Sequence, residues 1–429
     1  MATPDPRDKS EDGAGVPARR AALRLLDAVL RRGSPLETAL DKAAHGLDPS
    51  DRALAHAITA AVLRWLVDLD ALIDGATAKP LPADAKARTA LRIALGQALV
   101  LGTPGHAAIA TVLPLVDGGP KRLVHGVFGT LSRSGATLPP VPTLPPEVEA
   151  RWDAAWSADV VAAAGRSLAG QPPLDLSFKE AEGAAASEGE ALAPLHRRLP
   201  ASTRPTELPG FAEGAFWVQD LAASLPARLL GLGEGRTVVD LCAAPGGKTM
   251  QLAAAGWVVT AVDLAEPRLK RLRNNLARTA LAADTLVADA LTYSPPTLFD
   301  AVLLDAPCSA TGIFRRHPDV LHRVRPRAIA QLAERQQAML ARAAAAVKPG
   351  GALVYAVCSL EPDEGERAIE TFLGSSTVFT LDPVRVEELP AGITPDEQGR
   401  VRVLPGMLEA NGGADGFFIA RMRKTAPAS

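Results

Sequence analysis

The stretch from Thr237 to Thr249, TVVDLCAAPGGKT, constrains the fold of this chain more than any other part of the sequence. Its first four residues predict a short buried strand that ends at Asp240. Small residues then predict a tight turn, and Lys248 opens a helical pattern. Glycine lets a backbone approach a ligand closely, and a helix N-terminus favours an anionic or carboxylate-bearing one. The stretch therefore predicts a strand–turn–helix unit that binds a ligand.

The turn sequence narrows the choice of ligand. A Walker A phosphate loop requires glycine at position 242, where this chain has Cys242, and the turn does not contain GxGxxG either. A nucleotide triphosphatase and a dinucleotide enzyme are thus disfavoured. A nucleoside-bearing small molecule such as S-adenosylmethionine is a third possibility, and a glycine turn without a ligand is the fourth.

Length, charge and cysteine content set the broad class. A chain of 429 residues exceeds one ordinary domain, so we expect two or three. The net charge of −2 neither favours nor excludes nucleic acid. Three cysteines argue against a disulfide framework and indicate a reducing compartment. Because the N-terminus is polar and no long apolar run follows, we expect a cytoplasmic protein with no membrane contact.

The N-terminal third of the chain carries only helical patterns. Residues 1–16 are polar, with proline and glycine, and predict a disordered tail. Residues 17–134 then show apolar positions at helical spacing, as at 22, 25, 26, 29 and 30, without an alternating strand pattern. We expect a compact all-α domain over residues 17–134.

The rest of the chain predicts a linker and two further domains. Residues 135–146 are rich in proline and predict an extended linker. Residues 147–209, with one helix expected from Glu147 to about Ala169, predict a small α/β subdomain. In residues 210–429 strands alternate with helices, which is typical of a parallel sheet with helices on both faces. Ligands of that fold lie beyond the carboxyl ends of the strands.

Two acidic residues follow neighbouring strands of this predicted sheet. Asp263 ends the second strand, where a carboxylate can accept hydrogen bonds from two ribose hydroxyls. Asp289 follows the third strand, and its carboxylate could accept a hydrogen bond from the amino group of an adenine. For both residues the alternative is a cap or turn role.

Two of the three cysteines also lie just beyond predicted strands. Cys308 follows the fourth strand, shortly after Asp305, and Cys358 follows the fifth. A single cysteine is most often an inert small hydrophobe, but two at matched positions favour a chemical role. A metal site is a weak alternative, because no closely spaced Cys or His pair accompanies them.

A basic segment follows Cys308. It contains Arg315, Arg316 and His317, with further arginines up to residue 327. Such a segment can hold a phosphate backbone beside the site, although a solvated charged loop is the alternative.

Six motifs in this order resemble the RNA cytosine-5 methyltransferases of the Sun/RsmB type. They are DLCAAPGGKT, AVD, ADA, LLDAPCSATGIFRRHPD, LVYAVCSLEPDEGE and DGFFIA. The resemblance covers about residues 145–425, and residues 17–134 resemble the RNA-binding fold of the antitermination factor NusB. It implies a Rossmann-like methyltransferase domain that forms 5-methylcytosine in 16S ribosomal RNA with S-adenosylmethionine as the cofactor.

The resemblance also implies roles for individual residues. Cys358 would be the nucleophile, Cys308 would assist product release, and Asp305 would border both the cofactor and the target base. Independently of the resemblance, the basic segment predicts substrate contacts by Arg315, Arg316 and His317. The cofactor would be held by Asp263, Asp289 and Asp305 and by the loop that comprises Cys242, Ala243, Ala244, Pro245, Gly246, Gly247 and Lys248.

Two other functions stay open from the sequence. A transfer RNA could be the substrate of the same chemistry, and a non-catalytic RNA-binding assembly factor could retain the cofactor pocket. In each case we expect RNA as the partner, no DNA, and a monomer.

Overall fold

The computed structural model describes residues 13–426, which divide into two compact units. The helical unit contains residues 13–151, 168–170 and 317–324. The sheet unit contains residues 152–167, 171–316 and 325–426. Most of the tail predicted over residues 1–16 lies outside the described residues, and the first helix begins at Val16.

The helical unit is built from amphipathic helices whose apolar faces meet in one core. Leu25, Leu63 and Leu91 are among its fully buried side chains. Since aromatic residues are scarce, alanine, leucine and valine fill most of this core. Its helices are α1 (Val16–Leu30), α2 (Leu36–Ala43), α3 (Pro49–Arg64), α4 (Leu66–Gly75), α5 (Lys86–Leu99), α6 (Gly105–Val112) and α7 (Gly118–Arg133).

A short helix from later in the chain completes the helical unit. This helix is α14, the fourteenth α-helix along the chain, and it spans Val320–Arg323. The Asp319 carboxylate accepts a hydrogen bond from the backbone N–H of Leu36 at 3.3 Å. His322 Nε2 lies 2.7 Å from the Leu63 carbonyl oxygen. Residues 317–324 are therefore joined to α2 and α3 of this unit by side-chain hydrogen bonds.

Where we expected one helix from Glu147 to Ala169, the chain forms two. Helix α8 spans Pro146–Ala155 and α9 spans Ala158–Ala169. Trp156 and Ser157 separate them, and the Ser157 hydroxyl accepts a hydrogen bond from the Val160 N–H at 3.4 Å. A serine cap of this kind starts a new helix, which is a signal that apolar spacing alone does not reveal.

The sheet unit contains a small antiparallel sheet with strand order β2-β1-β3. Its strands are β1 (Leu174–Phe178), β2 (His196–Leu199) and β3 (Phe216–Val218), and helix α10 (Ala181–Ala186) connects the first two. The third strand lies beyond residue 209, so this sheet does not end where we expected the subdomain to end.

The large sheet has strand order β10-β11-β8-β7-β4-β5-β6, with β9 paired to β11. The strands from β8 to β6 in this order are parallel, and β9, β10 and β11 are antiparallel to their neighbours. The bounds are β4 (Thr237–Leu241), β5 (Val258–Asp263), β6 (Asp284–Val287), β7 (Phe299–Asp305), β8 (Val347–Val357), β9 (Phe379–Leu381), β10 (Val401–Val403) and β11 (Phe417–Lys424).

The expectation of a parallel sheet is therefore correct for the central strands and wrong for the C-terminal ones. Strand β11 pairs with β8 so that Phe418 faces Val357, with the two chains running in opposite directions. Alternation of strands and helices predicts parallel neighbours, but only a three-residue 3₁₀ helix, Glu409–Asn411, lies between β10 and β11.

Apolar layers cover both faces of the large sheet. In β8, Leu353, Tyr355 and Val357 pack into one layer, and Val354 and Ala356 pack into the other. Such continuous burial is typical of a parallel sheet with helices on both sides. These helices are α11 (Leu221–Arg228), α12 (Gly247–Ala254), α13 (Glu266–Thr279), α15 (Pro326–Ala345) and α16 (Glu366–Ser375).

Between residues 13 and 426, none of the helices combines the length and the apolar character that a membrane span requires.

Candidate active site

The turn after β4 presents the N-terminus of α12 at the carboxyl edge of the sheet. The Ala243 N–H donates to the Val262 carbonyl at 3.0 Å, which ties the turn to strand β5. Gly246 precedes the helix with a φ of 106°, a conformation that glycine adopts without strain. No side chain caps this helix. The N–H groups of its first turn can therefore donate hydrogen bonds to a ligand.

Asp263 links this turn to the chain after β5. Its carboxylate accepts hydrogen bonds from the N–H groups of Ala244 and Ala265, both at 3.1 Å. Arg268 lies 3.3 Å from the same carboxylate, and half of the arginine side chain is exposed. Asp263 thus orders two loops and keeps lone pairs that ribose hydroxyls can use.

The residues that follow β5 and β6 include an exposed apolar side chain and a carboxylate, which suit the base of a nucleoside. Leu264 comes directly after Asp263 and is 59% exposed, so an apolar side chain lies open beside the carboxylate. Asp289 is half-buried, and its Oδ1 accepts the Leu291 N–H at 2.9 Å. Its other oxygen has no partner among the described residues. An acceptor beside an open apolar surface suits an adenine ring.

The two cysteines at the ends of β7 and β8 lie next to each other. The Sγ atoms of Cys308 and Cys358 are 3.5 Å apart. Neighbouring parallel strands bring them together, since Asp305 in β7 pairs with Ala356 in β8. Contact with Cys358, and burial, raise the pKa of Cys308 well above its ordinary value. Cys308 therefore keeps its proton at neutral pH.

Glu364, which we did not single out from the sequence, binds the residue that follows each cysteine. Its carboxylate accepts hydrogen bonds from the Ser309 N–H at 2.9 Å and from the Ser359 hydroxyl at 2.5 Å. The Gln336 amide donates to it at 3.1 Å. Glu364 is fully buried, and burial raises its pKa. One carboxylate thus holds both cysteine loops in place.

Two glycines add a second restraint on the Cys358 loop. The Gly312 N–H donates to the Cys358 carbonyl at 3.0 Å, and the Gly416 N–H donates to the Gly312 carbonyl at 2.8 Å. A Cβ atom on Gly312 would lie 2.0 Å from the Gly416 carbonyl oxygen. Only glycine permits this close approach of the two backbones.

Lys248 and Asp305 form an ion pair at the same edge of the sheet. Lys248 Nζ lies 2.7 Å from Asp305 Oδ2. Burial lowers the pKa of Lys248, but the Asp305 carboxylate outweighs this effect and the net pKa is raised. The lysine is therefore a fixed cation at this edge of the sheet.

A cavity of 460 Å³ opens beside this pair. Its lining includes the turn residues Ala243 and Gly247 and the side chains of Lys248 and Asp305. Trp217, from the small sheet, lines another part of its wall. The cavity is large enough for a small planar ligand.

The structure differs from the expected substrate contact at Arg315. Its side chain is 2% exposed, and it donates to Asp220 and Asp415, both at 2.6 Å. Arg316 donates to Asp220 at 2.9 Å and lines the cavity. A buried guanidinium between two carboxylates has no free face for a phosphate. His317 belongs to the helical unit.

The described residues also contain no group of three or more His, Cys, Asp and Glu side chains placed to hold a metal ion. This edge of the sheet brings together two sulfurs, an ammonium group and carboxylates. A Rossmann-like sheet with a glycine turn after β4 and an acid after β5 has the arrangement of a domain that binds a nucleoside cofactor. It fits the class of S-adenosylmethionine-dependent methyltransferases.

Comparison with known proteins identifies the family. The family model for the 16S rRNA methyltransferase RsmB/F matches residues 227–423, and the NusB family model matches residues 16–121. The ribosomal RNA small subunit methyltransferase B of Cronobacter sakazakii is 33% identical, covering 95% of this chain and 98% of the relative. The protein of the same name from Xylella fastidiosa is 35% identical, covering 96% and 98%. The chain belongs to the RsmB/F family of methyltransferases.

Solved structures share the fold. The crystal structure of PH0851 is similar with a TM-score of 0.72 and 23% identity, covering 99% of this chain and all of that one. A methyltransferase homolog protein from Pyrococcus horikoshii has a TM-score of 0.55 and 24% identity, covering 69% and 98%. The expected fold class, with a helical N-terminal domain and a Rossmann-like methyltransferase domain, is confirmed.

Proposed function

We propose that this protein methylates carbon 5 of a cytosine in small-subunit (16S) ribosomal RNA, with Cys358 as the nucleophile. The observation that carries the proposal is the 3.5 Å separation of the Cys308 and Cys358 sulfurs at the ends of adjacent strands. The ion pair of Lys248 and Asp305 at the same edge supports it. The names of the relatives supply the RNA class.

The cofactor would be held by the turn after β4, Asp263 and Asp289. The N–H groups at the start of α12 suit the carboxylate of a methionine moiety, and Asp263 suits the ribose. Leu264 would cover the adenine ring. S-adenosylmethionine, when bound, supplies an electrophilic methyl group.

Covalent addition explains the need for a sulfur at position 358. Carbon 5 of cytosine is a weak nucleophile. The Cys358 thiolate adds to carbon 6, so an S–C6 bond forms and the ring electrons move toward carbon 5 and N3. After carbon 5 has gained its methyl group, a base removes the carbon-5 proton. The S–C6 bond then breaks, and the thiolate leaves with 5-methylcytosine as the product.

The charged groups around Cys358 assist these steps. The Lys248 ammonium, held by Asp305 at 2.7 Å, supplies a fixed positive charge at this edge of the sheet. Asp305 can hold a proton at N3 of the ring while Cys358 is attached, which stabilises the adduct. Cys308, which keeps its proton, lies where it can assist the departure of Cys358.

Phosphate contacts would come from the exposed face of α13, since Arg315 is buried. Lys270 and Arg271 are exposed on this helix, and neither has an ion-pair partner among the described residues. Arg268, one turn earlier, donates to the Ala244 carbonyl at 2.5 Å, so the face begins beside the cofactor turn. Exposed cations of this kind bind RNA backbones through counterion release.

The test is transfer of a labelled methyl group from S-adenosylmethionine to ribosomal RNA by the wild type and by Cys358→Ala. We expect label in 16S RNA with the wild type and a loss of about 10³-fold or more with the variant. Bisulfite sequencing of the RNA would then locate the modified cytosine. An equal thermal midpoint for the two proteins would show that the fold is retained.

Each alternative has its own outcome in this assay. No labelled RNA with either protein would overturn the enzymatic proposal in favour of an assembly factor. Label in transfer RNA and none in ribosomal RNA would show that transfer RNA is the substrate. Undiminished transfer by Cys358→Ala would remove the covalent role of this cysteine.

A further inference from the structure

A second cavity of the sheet unit, of 280 Å³, lies between the small sheet and helices α11 and α12. It shares no lining residue with the cavity beside Lys248 and Asp305. Most of its wall is apolar. The apolar side chains are Phe178, Leu195, Ala227, Leu232, Ala254 and Ala255.

One charged side chain, Arg228, lines this cavity. Its Nε donates to the Ser224 hydroxyl at 3.0 Å, and no carboxylate among the described residues forms an ion pair with it. The other guanidinium N–H groups have no partner in the described chain. Burial lowers the pKa of Arg228 to about 10. A half-buried cation without a counterion is unfavourable unless something compensates for it.

The helix that carries Arg228 does not supply that compensation. Arg228 is the last residue of α11, where a cation normally favours the helix C-terminus. However, its Nε bonds to Ser224, one turn back toward the N-terminus. The guanidinium therefore lies along the side of the helix and faces the cavity.

A second polar atom in the cavity wall also lacks a partner. Ser177 lines the cavity and is 1% exposed, and its hydroxyl has no hydrogen-bond partner among the described residues. Gln251, the remaining polar side chain of the wall, is already bonded to Gln219 and to the Ser224 carbonyl. Arg228 and Ser177 are thus the two groups available to a ligand.

We infer that this cavity is a binding site for a small apolar or aromatic monocarboxylate. A guanidinium binds a carboxylate through two parallel hydrogen bonds, which would restore the missing counterion of Arg228. The apolar wall that includes Phe178 and Leu195 would take the body of the ligand, and the Ser177 hydroxyl is a further hydrogen-bonding group. The volume accommodates one fused ring with a short acid side chain.

The test uses indole-3-acetate as the probe and its neutral isostere indole-3-acetamide as the comparison, with the full-length protein in isothermal titration calorimetry. We expect the acetate to bind at least about tenfold more tightly than the amide, which is the selectivity that one ion pair of about 1.4 kcal/mol provides. Arg228→Met should remove this preference. Arg204→Gln, which removes an exposed arginine paired with Glu207, should keep it.

A second variant tests the location of the site. Ala255→Leu leaves Arg228 in place and fills the cavity, so it should abolish binding of both probes. Equal affinity of the wild type for the two probes, or no saturable binding of the acetate, would overturn the inference. So would full binding to Ala255→Leu. These measurements do not involve methyl transfer, so their failure would leave the proposed function untouched.

Discussion

Arg315 donates a 2.6 Å hydrogen bond to Asp220, and a second one of the same length joins it to Asp415. The basic segment after Cys308 thus begins with an internal ion pair rather than an RNA contact. Burial lowers the pKa of Arg315, but the two carboxylates outweigh this effect and raise it. The arginine therefore positions the chain between the cysteine loop and the start of β11.

We expect Arg315→Gln to destabilise the fold by about 3–5 kcal/mol, because it leaves two buried carboxylates with Arg316 as their main counterion. Urea unfolding would measure this change. The control is Arg327→Gln, which removes an exposed arginine of the same segment and should change stability by less than about 0.5 kcal/mol. Equal unfolding midpoints for the two variants would contradict the structural role of Arg315.

Cys308→Ala should accumulate a covalent protein–RNA adduct. The variant keeps the Cys358 nucleophile but loses the thiol that lies 3.5 Å from it. Denaturing gel electrophoresis with labelled RNA would reveal the adduct as a retarded band. The double variant Cys308→Ala/Cys358→Ala should give none. Normal turnover of Cys308→Ala without a retarded band would remove its role in product release.

Glu364→Gln should slow methyl transfer by roughly 10- to 100-fold, because it weakens the bonds that hold Ser309 and Ser359 beside the two cysteines. The dissociation constant of S-adenosylmethionine should stay unchanged. The specific readout is the rate of adduct formation in the Cys308→Ala background, which should fall with the added Glu364→Gln substitution. Glu370→Gln, on an exposed part of α16, is the matched control. An unchanged adduct rate would show that Glu364 does not position Cys358.

Stability should fall with rising pH because of Asp240. This residue is fully buried in β4, and burial raises its pKa to about 7, although the Thr249 hydroxyl donates to it at 2.6 Å. The native state binds its proton more tightly than the unfolded chain does. The stabilisation is therefore complete below the unfolded pKa and is lost as the pH rises through about 7.

Asp240→Asn should remove this pH dependence. Between about pH 5 and about pH 8 the wild type should lose on the order of 3 kcal/mol that the variant does not lose. Urea unfolding of both proteins at the two pH values measures the difference. Parallel changes in wild type and variant would mean that Asp240 is ionised in the native state.

Removing the two exposed cations of α13 tests the proposed RNA contact. Lys270→Gln/Arg271→Gln should weaken binding of ribosomal RNA and lower the slope of log K against log salt by roughly 1.5, as expected for two phosphate contacts on single-stranded RNA. Arg315→Gln should leave that slope unchanged. A slope that does not move in the α13 variant would place the RNA elsewhere.

Much of the fold could be predicted because helices and turns have sequence patterns that extend over only a few residues. Apolar spacing revealed the helices of the helical unit, and the β4 turn motif located the edge of the sheet where the site lies. The break between α8 and α9 was missed because the capping role of Ser157 is weak in the sequence. The direction of β11 was missed because it depends on pairing with β8 over some sixty residues of chain.

Some residues of the candidate site could be identified from the sequence, and others could not. Cys308, Cys358, Lys248 and Asp305 could be selected because each follows a recognisable strand, and parallel strands bring their carboxyl ends together. Glu364 could not be selected, since nothing local distinguishes it from other acids in the same stretch. Arg315 looked like an RNA contact because its partners, Asp220 and Asp415, are about a hundred residues away in the chain.

The sequence by itself determined where turns, helices and reactive side chains occur, because backbone conformation and hydrophobic spacing act over a few residues. Only the tertiary structure decided that two sulfurs lie within contact distance, that one carboxylate holds both of their loops, and that Arg315 is enclosed. Charge pairing and burial depend on which distant segments pack together, and a linear pattern does not contain that information.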